Sequence, residues 1–218
     1  MPTRAIIFDL DGLLVDSEPH WQTAENAFLE AHGHRYDPAL AQRYAGLRLR
    51  DVIDIMQREC GIPGDPGRLA ADLLARLLGE YDRGLSACSG ADATIRRFGT
   101  RYPLAIASSS PLDVIRFVVR KFEWGGPLAV LCSGEEVSRG KPAPDVFLLA
   151  ATRLGVPPET CCVFEDSLAG VRAARAAGMR CIAVPTLAFG TAEEFARLAH
   201  VVITSLKDLR PTMVEADA

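Results

Sequence analysis

Ala5-Ile6-Ile7-Phe8-Asp9-Leu10-Asp11-Gly12 carries two carboxylates with a single residue between them, directly after a short apolar run. Four apolar residues closed by a polar pair and a glycine read as a buried strand that stops at its C-terminal edge. Two acids at that edge repel each other unless a cation or a proton occupies the space between them. The stretch is therefore a candidate site for a metal and a nucleophile. An aspartate after a strand also serves as a helix N-cap or Asx-turn, and Gly12 suits a tight turn, so these eight residues alone leave both readings open.

Similar apolar, β-rich runs recur at 104–107, 128–132, 161–164, 181–184 and 201–203, with helix-like stretches between most of them at 112–122, 145–154 and 168–177. Strands alternating with helices predict an α/β fold, a Rossmann-like doubly wound parallel sheet with right-handed crossovers. One interval breaks the rhythm. From about residue 17 to residue 84 there is no strand signal, and the chain reads as amphipathic helix at 20–31, 38–44, 49–60 and 67–81. Leu49, Val52, Ile53 and Met56 fall at three- and four-residue spacing, one face of a helix. A small helical domain over 17–84 is thus expected to be inserted into a core formed by 1–16 and 85–218. Gly84, Ser86, Ser89 and Gly90 read as a flexible return, and the polar tail from residue 210 onward is expected to fray.

The 218 residues carry a net charge of −4 and are 49% hydrophobic, with a pI near 5.6. That balance gives no electrostatic footprint for nucleic acid or an anionic membrane. The apolar runs are strand-sized, too short to span a bilayer, and residues 1–8 lack the apolar length of a secretory leader; a cytoplasmic protein is expected. The six cysteines show no Cys-x-x-Cys pair. Cys132, Cys161, Cys162 and Cys181 lie in strand-like runs and read as free core thiols, Cys161 and Cys162 on opposite faces of one strand. Positive charge is carried almost wholly by arginine, the lysines being Lys121, Lys141 and Lys207.

In a parallel sheet every strand ends on the same edge, where open α/β folds bind ligands. The first run ends in Asp9 and Asp11, the next in Ser108-Ser109-Ser110-Pro111. The third is followed after a loop by Arg139-Gly140-Lys141-Pro142, and the fourth ends in Glu165-Asp166-Ser167. Singly, the serines, Glu165 and Asp166 could cap the helices that follow them, and Lys141 could be a solvated loop charge. Together, four acids, a hydroxyl and an isolated lysine on one edge suit phosphoryl transfer. Carboxylates and carbonyls are the hard oxygen ligands that Mg²⁺ prefers, and a carboxylate nucleophile splits one difficult displacement into two easier ones. Lys141 adds a compact positive charge, and Ser108 and nearby backbone amides can cradle phosphoryl oxygens.

In order, Asp9-Leu10-Asp11-Gly12, Ser108, Lys141 and Glu165-Asp166 resemble the four motifs of the haloacid-dehalogenase-like (HAD) superfamily, and the helical insert looks like that superfamily's small helical cap. The segments 13–19 and 108–111 are most similar to its sugar-phosphate phosphatases near 2-deoxyglucose-6-phosphatase and β-phosphoglucomutase. The resemblance implies that Asp9 attacks phosphorus and ligates Mg²⁺. Asp11 protonates the leaving oxygen and then activates water, its backbone carbonyl touching the metal. Ser108 and Lys141 bind the phosphoryl group, Glu165 and Asp166 complete the metal site, and Ser109 joins the substrate-binding groups. The implied partner is a small phosphorylated metabolite rather than nucleic acid or membrane; the oligomeric state stays open.

Dehalogenases do not need a second acid at Asp11, and phosphonatases use a cap lysine that residues 17–84 lack. A β-phosphoglucomutase-type mutase remains the alternative. Its supporting histidine falls at Trp21 here, with His20 one place off, and its motif-two lysine falls at Pro111; these departures favour a phosphatase. Arg48, in the segment 45–48, is expected to face the ligand, with Arg50 as runner-up, though both could equally be solvated helix-start charges. Trp21 reads as a sugar-stacking platform or as cap core.

Overall fold

The computed structural model describes residues 1–35, 37, 43–44, 46–186 and 190–215. The helix expected at 38–44 falls mostly outside these residues, as does Ala45. Six parallel strands form a single sheet: β1 (Ala5–Phe8), β2 (Leu104–Ser108), β3 (Val130–Ser133), β4 (Cys161–Glu165), β5 (Arg180–Ala183) and β6 (Val201–Val202). Their spatial order is β3-β2-β1-β4-β5-β6, so the order reverses beside β1. That switch point is where an open α/β sheet leaves a crevice at its C-terminal edge.

β1 is buried on both faces, as a central parallel strand must be. Side-chain alternation divides it: Ile6 and Phe8 join one apolar layer with Cys162, Phe164 and Ile106, while Ala5 and Ile7 join the other with Cys161, Val163 and Ala105. Cys161 and Cys162 therefore do face opposite layers, and all six cysteines are free. The second layer is closed by α6 (Asp145–Leu154), α7 (Leu168–Ala176) and α8 (Ala192–Leu198), the first by α4 (Ala91–Gly99) and α5 (Leu112–Lys121).

Between β1 and α4 the chain forms α1 (Glu18–Ala31), α2 (Leu49–Cys60) and α3 (Pro66–Gly84). The buried stripe of α3 is Leu69, Leu73, Leu77 and Tyr81, a strict four-residue spacing that packs on α1 and α2. Each such leucine taken from water contributes on the order of 2 kcal/mol. This helical insert shares its apolar cluster with the first face of the sheet, so the two are packed continuously.

Two expectations are corrected. The return near residue 86 is not a loose link: Val15 bridges Ala87 antiparallel, and the amides of Asp16 and Cys88 donate to the carbonyls of Ser86 and Leu14. The tail does not fray as far as Glu215, because α9 (Pro211–Val214) seats Val214 in the core and Thr3 Oγ1 donates to the Val214 carbonyl. No helix among the described residues is long and apolar enough to cross a membrane.

Candidate active site

Strand register builds the site. Phe8 pairs with Phe164, so Asp9 emerges beside Glu165; Phe8 also pairs with Ile106, so Ser108 ends next to the Asp9–Gly12 turn. A cavity of about 460 Å³ opens at this edge, with Asp9, Asp11, Ser108, Ser109, Lys141 and Asp166 among its walls.

Lys141 is buried, and its Nζ donates to Asp9 Oδ1 at 2.5 Å and to Glu165 Oε1 at 2.6 Å. It also stands 4.9 Å from the centroid of the Phe147 ring. Burial opposes its charge, but the two carboxylates outweigh that and hold the ammonium above the ordinary lysine range. Glu165 is fixed from its other side, where Ser167 N and Ser167 Oγ both donate to Oε2. The helix after β4 passes so close that a Cβ at Gly170 would overlap the Glu165 carboxylate. Ser167, not Glu165 or Asp166, caps that helix, accepting from Gly170 N. Likewise none of Ser108–Ser110 caps α5, whose cap is Pro111. The capping alternatives for these acids and serines are thereby removed.

Asp9, Glu165 and Asp166 offer one carboxylate oxygen each within 4.8 Å of one another. Asp166 Oδ2 is buried and has no hydrogen-bond partner. Gly12, at φ +77°, leaves the room: a Cβ there would overlap the Asp166 carboxyl. Three hard oxygen donors with an orphaned buried acceptor fit a small divalent cation. Burial pushes the Asp9 carboxyl up to about 7 against the pull of Lys141, with Glu165 and Asp11 adding to the rise. Burial, then Glu165 and Asp9, hold Asp166 well above the usual carboxylate range.

A pH effect follows. Without a cation, folded Asp9 keeps its proton up to about 7, whereas its ordinary value is 3.8; the folded chain binds more protons across that window, so stability falls as pH rises through it. A bound cation offsets that loss. Thermal midpoints with excess Mg²⁺ and with EDTA are expected to differ little at pH 5 and by several degrees at pH 8; the same gap at both pH values would count against a cation in this cluster.

Asp11 stands apart from the three-acid cluster. Its Oδ1 accepts from Trp21 Nε1 at 3.3 Å and Tyr81 Oη at 3.0 Å, and its Oδ2 accepts from Ser108 Oγ at 3.2 Å and Ser110 Oγ at 2.7 Å. Two of these donors come from the helical insert and two from the end of β2. Burial, then Asp11, raise the Tyr81 hydroxyl well above its usual value, so it remains a donor at any working pH. The Asp11 carboxylate is thus engaged by four donors and lies outside the cluster formed by Asp9, Glu165 and Asp166.

The expectation for Arg48 is not met in this structure. Its guanidinium binds Asp51 through two bonds, Nε to Oδ2 at 2.7 Å and Nη2 to Oδ1 at 2.9 Å, and Nη1 donates to the carbonyls of Val137 and Ser138. Arg50 is paired with Glu135. An acceptor three residues along the same helix, plus free carbonyls on the facing loop, draws Arg48 away from the cleft. Its neighbours Gly46 and Leu47 line the cavity instead. Trp21 does line the cleft, but its indole N–H is turned on Asp11. Sequence reasoning missed Tyr81, Ser110, Glu25, Tyr44 and Thr186, all but Tyr81 lining the cavity. Ser110 sat in the quoted serine run; Tyr81 and Glu25 looked like ordinary positions on amphipathic helices.

The haloacid dehalogenase-like hydrolase family model matches residues 3–178, and the chain belongs to that family. A probable pseudouridine-5′-phosphatase of Drosophila melanogaster is 32% identical, the match covering 94% of this chain and 90% of the relative. Hexitol phosphatase B of Escherichia coli K12 is 33% identical over 94% and 93%. Among solved structures, a substituted form of CbbY from Rhodobacter sphaeroides in complex with xylulose-(1,5)-bisphosphate superposes with a TM-score of 0.85 at 26% identity, covering 98% of this chain and 100% of that one.

Proposed function

We propose that the chain is a Mg²⁺-dependent phosphatase that hydrolyses small sugar or sugar-alcohol phosphate monoesters through an aspartyl-phosphate on Asp9. The observation that carries this reading is the separation of two acids two residues apart: Asp9 is pinned to Lys141 inside a three-carboxylate cluster, while Asp11 is held by neutral donors beside it. The family membership and the phosphatase relatives support it.

In this reading an Asp9 oxygen forms a bond to phosphorus as the bond to the sugar oxygen breaks, and Asp11 delivers a proton to that leaving oxygen. Asp11 then takes a proton from the water that attacks the same phosphorus, which releases phosphate and restores the Asp9 carboxylate. Lys141, Ser108 and Ser109 hold the phosphoryl oxygens. Asp9, Glu165, Asp166 and the Asp11 carbonyl would hold the cation, which supplies charge neutralisation for the transferring group. Residues 17–84 act as a cap over the cleft, with 1–16 and 85–218 as the core.

The test is phosphate release from p-nitrophenyl phosphate, hexitol 6-phosphates, hexose 6-phosphates and β-glucose 1-phosphate, with Mg²⁺ and with EDTA. Release that EDTA stops and added Mg²⁺ restores is expected. Conversion of β-glucose 1-phosphate to the 6-phosphate without release would make the chain a mutase, and chelator-insensitive binding without turnover would make it a sensor.

A further inference from the structure

Above the catalytic residues, the same cavity is walled by Glu18, Trp21, Glu25, Tyr44, Leu47 and Val52 of the helical insert. Glu25 is only 6% exposed and Tyr44 3%. The Tyr44 hydroxyl is buried and has no hydrogen-bond partner. Burial, then Glu18, push the Glu25 carboxyl up to about 8, with nothing drawing it back. Burial thus favours its protonated form, which offers one O–H donor alongside acceptor lone pairs. Burial, then the nearby Cys60 thiol and then Glu25, raise the Tyr44 hydroxyl, which keeps its proton and so both donates and accepts.

Leaving such groups dry is costly, and a site built around buried polar groups rejects ligands that fail to pair them. Their donor-plus-acceptor character matches alcohol hydroxyls. A second phosphate needs cations or donors alone; among the described walls of the insert the donor-only group is the Trp21 N–H, which is turned on Asp11. Lys141, the cation among the described lining residues, is committed to Asp9 and Glu165. Arg43, Arg48 and Arg50 are paired with Glu59, Asp51 and Glu135. The residues outside the description (36, 38–42, 45, 187–189 and 216–218) include no Lys, Arg or His.

We propose that Glu25 and Tyr44 are specificity-determining residues that read the hydroxyl groups at the end of the substrate remote from the reacting phosphate, so that the preferred substrates are monophosphates with a neutral polyhydroxyl tail and bisphosphates are rejected. This rests on the phosphatase reading above and narrows its substrate class.

The experiment compares kcat/KM of the full chain with Mg²⁺ on a hexitol 6-phosphate, on a hexose 1,6-bisphosphate and on p-nitrophenyl phosphate, which has no hydroxyl tail. Wild type is expected to favour the hexitol monophosphate over the bisphosphate at least tenfold. Glu25→Leu is expected to lower the hexitol-to-nitrophenyl ratio about tenfold or more, chiefly through KM, the cost of one unpaired polar group. Glu25→Gln, which keeps a donor and an acceptor, should hold that ratio within about threefold of wild type. Tyr44→Phe should lower it severalfold, so the test survives a Glu25→Leu variant that does not fold. An unchanged ratio in Glu25→Leu and Tyr44→Phe, an equal fall in Glu25→Gln and Glu25→Leu, or a preference for the bisphosphate overturns this inference alone. A wild type that releases phosphate from none of the three overturns the phosphatase reading, and this one with it.

Discussion

Asp9→Asn is expected to reduce phosphate release by on the order of 10⁴-fold or more, while the metal-free protein stays at least as stable as wild type. The amide has nearly the shape of the carboxylate but cannot attack phosphorus. Phosphate-monoester hydrolysis is among the slowest uncatalysed reactions, so losing the covalent route removes most of the acceleration. Stability moves the other way. Asp9 lies in a cluster with Glu165 and Asp166, and its carboxyl is pushed up to about 7 largely by burial. Neutralising it relieves that strain, and Lys141 keeps Glu165 as a partner. Thermal melts in EDTA at pH 8 and phosphate assays with Mg²⁺ read the two effects separately. Turnover above about one per cent of wild type would remove Asp9 from the nucleophile's role.

Lys141→Met should damage both quantities at once. The ammonium sits between Asp9 and Glu165 at 2.5 and 2.6 Å, with side-chain exposures of 4%, 8% and 0%. Removing one partner of a buried ion pair costs about 3–5 kcal/mol, because the remaining charges are left without compensation. For a chain of this size that amounts to a fall of about 10 °C in thermal midpoint. The fall should shrink toward pH 5, below the value of about 7 to which burial raises the Asp9 carboxyl. Activity should drop by about 10²–10³-fold, as for loss of one preorganised group facing the transferring phosphoryl oxygens. A variant as stable as wild type in EDTA at pH 8, or one within tenfold of its activity, would contradict the geometry that ties Lys141 to both acids.

The strands were legible because parallel sheet interiors demand unbroken apolar runs, and the four polar endings were legible because such a sheet delivers every ending to one edge. The observed β1 and α6 coincide with the expected bounds, and the other strands differ by a residue or two at their ends. What escaped was direction. Trp21 could be placed near the cleft, but not that its N–H would meet Asp11, ten residues earlier, since that depends on how α1 packs against the turn after β1 and not on the helix alone. Tyr81 continues the Leu69, Leu73, Leu77 stripe, so its spacing looks like core; its hydroxyl alone distinguishes it. Glu25 lies among the buried residues of α1 for the same reason. Arg48 went astray because competing acceptors, Asp51 three residues ahead and the carbonyls of Val137 and Ser138 about 90 positions later, outbid the cleft. The α4 helix was overlooked because its apolar positions, Ala91, Ile95 and Phe98, span barely two turns after a glycine-rich approach.

Arg48 and Arg50 also join the helical insert to the core. Their guanidiniums tie α2 to the segment 135–138, Arg48 through the carbonyls of Val137 and Ser138 and Arg50 through the Glu135 carboxylate. The Arg50–Glu135 part of that contact is a partly exposed ion pair rather than apolar packing. Dissolved electrolyte weakens such a pair far more than it weakens apolar packing. The Arg50–Glu135 link is thereby exposed to the ionic strength around it, while the buried lysine and its acids are screened far less by the same ions.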